Sequence, residues 1–364
     1  MPLPSLQQFE SAPLSLLAFG PGFGESLLIR TPEASWVAID SASRQRKRRA
    51  VNPALVALET YDVELDVVLL THPHEDHVKG LRDLIERCGD GAIVGAVEPL
   101  MRTPSSYAVA SEVDDVAAIT GGAGVAAHVA IERAWAKGRR KWTVSAGSII
   151  EVGGCRFEVL TPGADALDEF ASGSAFDLND LSAAIRIKWA NGGDLVLGAD
   201  ATAIAWEEAS VRLAPENLLS CRPIKVSHHG SEKAIHRLLI DDQNPDPDRP
   251  LVVTPWNGGK GLPRFDPNQG VDRLLRAADS LQLTSLPFTT VEVSGPVSFE
   301  DIFASLSTEE VGDDTAADPL SIQLDRPSHV DSDDGVLGAW VLVQADGEGG
   351  FVVERGWSAL EVVR

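Results

Sequence analysis

The sequence predicts an α/β fold in which two β-rich halves converge on one site. Three observations support this. Residues 14–19, 26–30 and 36–39 are short apolar runs, the first two split by a glycine-rich loop at 20–25. Three strands in succession argue against a doubly wound sheet, which alternates strand and helix from the outset. A strand-then-helix pattern also appears twice, over about 14–88 and 143–213, with little self-similarity in sequence. Finally, four predicted strands end in carboxylate or imidazole side chains, and loops at one edge of a sheet can converge.

In chain order, the strand 36–39 ends at Asp40. A basic loop comes next, with Arg44, Arg46, Lys47, Arg48 and Arg49. Residues 53–61 read as a helix and 66–70 as a buried strand. Leu81, Leu84 and Ile85 then give 78–88 a helical spacing, and Gly80 near its start allows close backbone approach. A strand at 92–97 precedes a mostly helical stretch, 111–141, which the glycines at 121–124 interrupt. Residues 142–160 read as several strands split by glycines, and 170–181 as a polar loop ending in Asn179-Asp180-Leu181-Ser182. A hairpin over 183–189 and 194–197 runs into Gly198-Ala199-Asp200, and a helix covers 203–213. The strand 222–227 opens onto His228 and His229, and 251–254 is read as the last core strand. A helix is expected at 271–281 and a hairpin at 339–344 and 349–354. The stretches 308–318 and 327–335 are acidic and expected to be mobile. The chain is therefore divided into a core domain, 1–290, and an acidic C-terminal extension, 291–364, with a docking or regulatory role. Deleting the residues after about 295 is expected to leave metal binding intact.

Composition narrows the function classes. The net charge is −23, so the chain as a whole repels nucleic acid. Between Glu300 and Gly350 the one Lys or Arg is Arg326, which concentrates the negative excess there. A second basic run, Arg133, Lys137, Arg139, Arg140 and Lys141, lies mid-chain. No apolar run approaches the roughly 18 residues of a membrane span, and the first residues lack the pattern of a signal peptide. Cys88, Cys155 and Cys221 are scattered and form no C-x-x-C pair. A cytoplasmic protein without membrane contact or a disulfide framework is expected.

The densest chemistry is at 66–81, DVVLLTHPHEDHVKGL. His72, His74, Asp76 and His77 fall within six residues, and five of the eight histidines lie in this cluster and at His228/His229. A lone histidine is more often structural or solvated. Three histidines and an aspartate this close are the makings of a site for Zn²⁺ or a similar ion. His72 and His74 can share one ion, and Asp76 and His77, one turn onward, can face a second.

H-x-H-x-D-H after an apolar strand, with further strand-end Asp and His, resembles the metallo-β-lactamase-fold hydrolase superfamily. Gly22-Phe23-Gly24-Glu25, Ala38-Ile39-Asp40, Asn179-Asp180-Leu181-Ser182, Gly198-Ala199-Asp200 and Lys225-Val226-Ser227-His228-His229-Gly230-Ser231 are similar to motifs of its competence-protein (DNA-uptake) branch. The resemblance covers about residues 14–290. It implies a four-layer αββα sandwich and a centre of two divalent ions, Zn²⁺ or Mn²⁺, that activate a water. His72 and His74 would bind the first ion. Asp76, His77 and His228 (or its neighbour His229) would bind the second, and Asp200 would bridge both. Asp40 would orient a ligand histidine from behind. Asp76, Asp200 and His229 are the catalytic candidates.

One departure stands out. Members often supply a further histidine before the bridging Asp, yet none occurs between His128 and His228. Asp180 either takes that place as an oxygen ligand or is a turn residue bonding its own backbone. Occupancy by a single metal is the other way to read the gap. Weaker substrate contacts are Ser231, Lys233 and the run containing Arg46, Lys47 and Arg48. That run is either a solvated loop or a phosphate clamp. His128 reads as structural.

Three functions are open to such a chain. The first is a phosphodiesterase or nuclease, since two ions suit the attacking and leaving oxygens of a phosphodiester. The second is hydrolysis of a small ester, thioester or lactam. The third is an effector within a larger bacterial complex, switched by a protein partner at the acidic C-terminal region.

Overall fold

The computed structural model describes residues 3–97, 114–285, 297–298 and 339–363, apart from 21, 23, 47–48, 173–176, 191–192, 214–217, 219, 241–244, 247, 257–260, 265–268, 279, 347–349 and 357–358. Among the described residues, two large sheets stack face to face, with helices on both outer faces. The first has eight strands in the order Phe351–Arg355, Trp340–Ala345, Ser15–Phe19, Ser26–Arg30, Trp36–Ile39, Leu65–Leu70, Cys88–Val97 and Arg140–Val144. The second has nine, in the order Val297–Ser298, Leu360–Val363, Ser280–Leu283, Leu251–Val253, Ile224–Lys225, Asp194–Leu197, Ile185–Trp189, Cys155–Val159 and Ile149–Val152.

The apolar runs are nearly continuous because both faces of each sheet are covered. The two-residue period of a strand then divides them. Leu17, Leu28, Ala38, Val68 and Leu70 face an outer core shared with the helices Pro53–Tyr61, Leu81–Glu86 and Asp114–Ala136. Their neighbours Leu16, Leu27, Ile29, Val37, Ile39, Val67 and Leu69 face the inter-sheet core, where they meet Phe157, Ile185, Ile187, Leu195 and Leu197. Val196, Ile224, Leu251 and Val253 turn to a third core beneath the helices Ala203–Ser210 and Gly270–Ala277. These cores make the architecture a four-layer αββα sandwich.

Parallel pairing sets the position of the site. Trp36–Ile39, Leu65–Leu70, Cys88–Val97 and Arg140–Val144 run parallel in the first sheet. Asp194–Leu197, Ile224–Lys225, Leu251–Val253 and Ser280–Leu283 do so in the second. Their C-terminal ends therefore deliver Asp40, His72, Asp200 and His229 to one edge.

Several boundaries differ from the sequence reading. The helix expected at 78–88 is two, Glu75–Val78 and Leu81–Glu86, because Gly80 takes a φ of 89° between them. A β-carbon there would stand 2.5 Å from Asn52 Nδ2. Helix Asp114–Ala136 runs through the glycines at 121–124, and Arg140 and Lys141 belong to a strand. The helix expected at 271–281 stops at Ala277, and Ser280–Leu283 is a strand, so 251–254 is not the last core strand. The division at residue 290 cuts across both sheets. Trp340–Ala345 pairs with Ser15–Phe19, and Leu360–Val363 pairs with Ser280–Leu283. The acidic stretches 308–318 and 327–335 lie outside the described residues. Cys88, Cys155 and Cys221 are buried and none is in a disulfide. Among the described residues no helix is long and apolar enough to cross a membrane.

Candidate metal centre

The first sheet supplies four potential ligands. Beyond Leu70 the chain leaves the sheet, and His74, in extended conformation, caps the helix Glu75–Val78 that carries Asp76 and His77. His72 and His77 are fully buried. Asp40 holds them in place. It sits in the left-handed region, φ 58°, which turns the chain as the strand Trp36–Ile39 ends. Its carboxylate accepts the Thr71 N–H at 2.7 Å, the Thr71 hydroxyl at 2.6 Å and His77 Nδ1–H at 2.7 Å. Thr71 Oγ1, its own proton given to Asp40, faces His72 Nδ1 at 3.2 Å as an acceptor. Both imidazoles thus keep their protons on Nδ1 and present Nε2.

The second sheet supplies the other half. Ala199, φ 42°, turns the chain after Asp194–Leu197, and the Asp200 N–H donates to Ser182 Oγ at 2.8 Å. Ser182 Oγ also lies 3.3 Å from His72 Nδ1. His228 and His229 are consecutive left-handed residues, φ 46° and 53°. His229 Nδ1–H donates to the Thr254 carbonyl at 2.7 Å, which leaves Nε2 for the site.

Among the described residues three donor groups lie close enough for an ion; Asp40, His72 and His77 form one, but Asp40 is already bonded to His77 Nδ1, and the other two share Asp200. His72, His74 and Asp200 form one, with His72 Nε2 3.1 Å from His74 Nδ1 and 3.8 Å from Asp200 Oδ2. Asp76, His77, Asp200 and His229 form the other. There His229 Nε2 is 3.2 Å from Asp76 Oδ2 and 3.5 Å from Asp200 Oδ2, and His77 Nε2 is 3.4 Å from Asp200 Oδ1. His77 Nε2 and Asp200 Oδ1 are buried and have no hydrogen-bond partner among the described residues. Buried groups without partners are rare and call for a missing one. A divalent cation among imidazole nitrogens and carboxylate oxygens satisfies both, so the donor set fits the ion.

The electrostatics agree. Burial pulls His77 down, but Asp200, Asp40 and Asp76 outweigh it and hold the ring well above the usual imidazole range. Burial also opposes a charge on His229, yet Asp200 and Asp76 raise it to about 10. Asp200 is buried, which favours its neutral form, but His229 and His77 keep it well below the ordinary carboxylate value. For His72 burial dominates, followed by repulsion from His77, and the ring is driven low. In the metal-free protein the raised His77 and His229 thus favour protons in the second donor group, and metal uptake there would displace them.

The structure separates the remaining candidates. His229, not His228, joins the second donor group. His228 Nε2 stays 4.0 Å from Asp200 Oδ2, and its side chain is 22% exposed. Asp180 joins neither group, because its carboxylate accepts the hydroxyl of Thr202, the residue that caps Ala203–Ser210. The Asn-Asp-Leu-Ser segment contributes through Ser182 instead. Asp180→Ala should therefore leave metal stoichiometry unchanged and lower stability by about 1 kcal/mol through the lost bond to Thr202. A loss of one metal equivalent by elemental analysis would restore Asp180 as a ligand. Ser231 is buried behind His228, with its N–H on the His228 carbonyl, and Lys233 is exposed. Arg46 lies in a two-stranded ribbon, Arg44–Arg46 with Arg49–Val51, and Lys47 and Arg48 lie outside the described residues. His128 is in a helix, 3.5 Å from Glu132. Sequence reasoning gave no role to Thr71, Ser182, Thr254, Glu25 or Lys225. Glu25, Ser182 and Lys225 stand in recognisable motifs, whereas Thr71 and Thr254 read as ordinary β-branched residues at strand ends.

Stacked sheets, helical outer layers and ligands at one edge define a metallo-β-lactamase fold with a candidate divalent-metal centre. Residues 19–148, the region that bears Asp40 and the His72–His77 cluster, match the model of the metallo-beta-lactamase superfamily. No curated protein sequence matches the chain significantly. Solved structures similar to it include a metallo-beta-lactamase HARLDQ-motif mutant from Cronobacter sakazakii, at 15% identity and TM-score 0.30, covering 51% of this chain and 61% of that one. Zn²⁺-bound PqqB from Methylobacterium extorquens is similar at 14% identity and TM-score 0.32, covering 58% and 71%. CmlA, a diiron β-hydroxylase from Streptomyces venezuelae, shares 12% identity at TM-score 0.35, covering 60% and 35%. The chain thus spans less than two thirds of the Cronobacter protein. Likeness at this level says nothing of substrate.

Proposed function

We propose that the chain is a metal-dependent hydrolase of an anionic phosphodiester, with Zn²⁺ or Mn²⁺ as its ions. The observation that carries this reading is Asp200, one carboxylate shared by two donor groups that face the same space. His72, His74 and Asp200 would hold one ion, and Asp76, His77, Asp200 and His229 the other. When bound, two such ions supply Lewis acidity to an attacking water and to the leaving oxygen of a phosphodiester. The chain's own residues do the rest. Asp40, Thr71 and the Thr254 carbonyl fix the tautomers of His77, His72 and His229. His228, beside Asp200 but outside both groups, presents an imidazole at the exposed side of the site; burial lowers its pKa, so the neutral ring would contact a substrate oxygen by hydrogen bonding.

The backbone supports an anionic substrate. The basic ribbon Arg44–Arg46 begins four residues beyond Asp40, and Ser41 between them bridges to Val78, next to His77. The charge of −23 favours a short oligonucleotide or cyclic nucleotide over long nucleic acid. The full chain, loaded with Mn²⁺ or Zn²⁺, is to be offered single-stranded DNA, RNA, a chromogenic phosphodiester, a thioester and a lactam. Phosphodiester cleavage that chelator abolishes and added metal restores is the expected result. Cleavage of the lactam or thioester without any phosphodiesterase activity would refute the proposal.

A further inference from the structure

Beside the donor groups lies a buried ion pair that belongs to none of them. Glu25 and Lys225 are both fully buried, and the Glu25 carboxylate pairs with Lys225 Nζ. Glu25 directly precedes the strand Ser26–Arg30 of the first sheet, and Lys225 ends Ile224–Lys225 of the second. The pair therefore ties the two sheets together. Burying two charges rarely adds net stability, because the cost of desolvation offsets their attraction. Such a pair at this place needs a reason other than stability, and its contacts supply one.

Each end of the pair reaches a ligand of the second donor group. The Glu25 N–H donates to the Asp76 carbonyl at 3.1 Å. Gly24 makes that approach possible, since a β-carbon there would stand 2.2 Å from the Asp76 oxygen. Glu25 also accepts the Thr254 hydroxyl, and the Thr254 carbonyl holds His229 Nδ1. Lys225 Nζ donates to the Ala199 carbonyl at 3.1 Å, one residue before Asp200. The second carboxylate oxygen of Glu25 is buried without a hydrogen bond among the described residues, 4.0 Å from His77 Nδ1. Asp76 and His77 come from one sheet, and Asp200 and His229 from the other, so their convergence depends on the spacing between sheets. On the His72 side that spacing is held separately. There the Ala183 N–H donates to the Thr71 carbonyl at 3.1 Å, and Ser182 lies beside His72.

We propose that Glu25 and Lys225 are positioning residues that set the inter-sheet spacing of Asp76, His77, Asp200 and His229, and so the affinity of that one metal position. The inference rests on the metal reading of the site but not on any substrate. It accounts for Gly-x-Gly-Glu and the lysine before His228 as one device.

The test is zinc titration of the metal-free full chain against a competing chelator. Wild type is compared with Glu25→Met/Lys225→Met, which replaces the pair by apolar side chains of similar length. Wild type should take two equivalents. The double variant should keep its far-UV spectrum and lose affinity for one equivalent by 10- to 100-fold, the range for outer-shell groups, while the other changes by less than about threefold. Equal affinities in the two proteins would overturn the proposal. So would a folded variant that loses both equivalents together, because the pair would then support the fold and not one position. A wild type that takes no zinc would refute the metal reading itself. If the double variant does not fold, Thr254→Val decides, since it removes the hydroxyl that joins Glu25 to the His229 support, where it also lies 3.5 Å from His229 Nδ1. A weaker loss at the same position is expected, and no loss would overturn the proposal.

Discussion

Replacing Asp200 by asparagine should strip the chain of most of its metal and lower turnover by at least about 10³-fold, beyond the 10- to 100-fold typical of groups behind the ligands. Asp200 alone belongs to both donor groups. Its two oxygens lie within 3.8 Å of the Nε2 atoms of His72, His77 and His229. An amide keeps the shape and the Ser182 bond to the backbone N–H, but removes the charge that two cations would share. The comparison variant is His228→Ala, which should keep full metal content. Metal per chain by elemental analysis separates these cases. Retention of two equivalents in Asp200→Asn would mean that the donor groups are wrongly drawn.

Removing residues 339–364 should abolish cooperative folding, contrary to the separable extension that the sequence suggested. Trp340, Val341, Leu342 and Val343 are buried, alternating between the outer and the inter-sheet cores. At about 1.5–3 kcal/mol for each side chain of this size, their burial stabilises the fold by roughly 6–12 kcal/mol. That matches the whole stability of an ordinary domain, about 5–15 kcal/mol. The truncation would also expose Ser15–Phe19, whose five residues are all buried, as an apolar edge strand open to aggregation. The expected outcome is an insoluble or molten product by far-UV spectroscopy and thermal unfolding. A truncated chain with a sharp transition and full metal content would show that the C-terminal strands are dispensable.

The sequence made the candidate cluster His72–His77 legible because its residues are local. His72, His74, Asp76 and His77 need only one strand and one turn to come together. Asp40, Asp200 and the histidine pair could be placed because parallel strands bring their C-terminal ends to one edge. The choice between His228 and His229 could not be read, because it depends on two successive left-handed residues that decide which ring turns inward. The choice between the two readings of Asp180 was hidden for a similar reason. Only the fold shows that Thr202, 22 residues on, takes its carboxylate. The role of the last strands was hidden by distance, since Trp340–Ala345 pairs with a strand more than 300 residues earlier. Glu25 and Lys225 were visible as motif letters, but a contact between residues 200 positions apart has no local signature.

The most direct test of the centre is anomalous diffraction from crystals of the full chain loaded with zinc or manganese. Two peaks that share Asp200 are expected. One should lie against His72 and His74, and the other against Asp76, His77 and His229, with His228 and Asp180 outside both. A peak coordinated by His228 instead of His229, or no peak between Asp200 and the His72–His77 cluster, would contradict this centre.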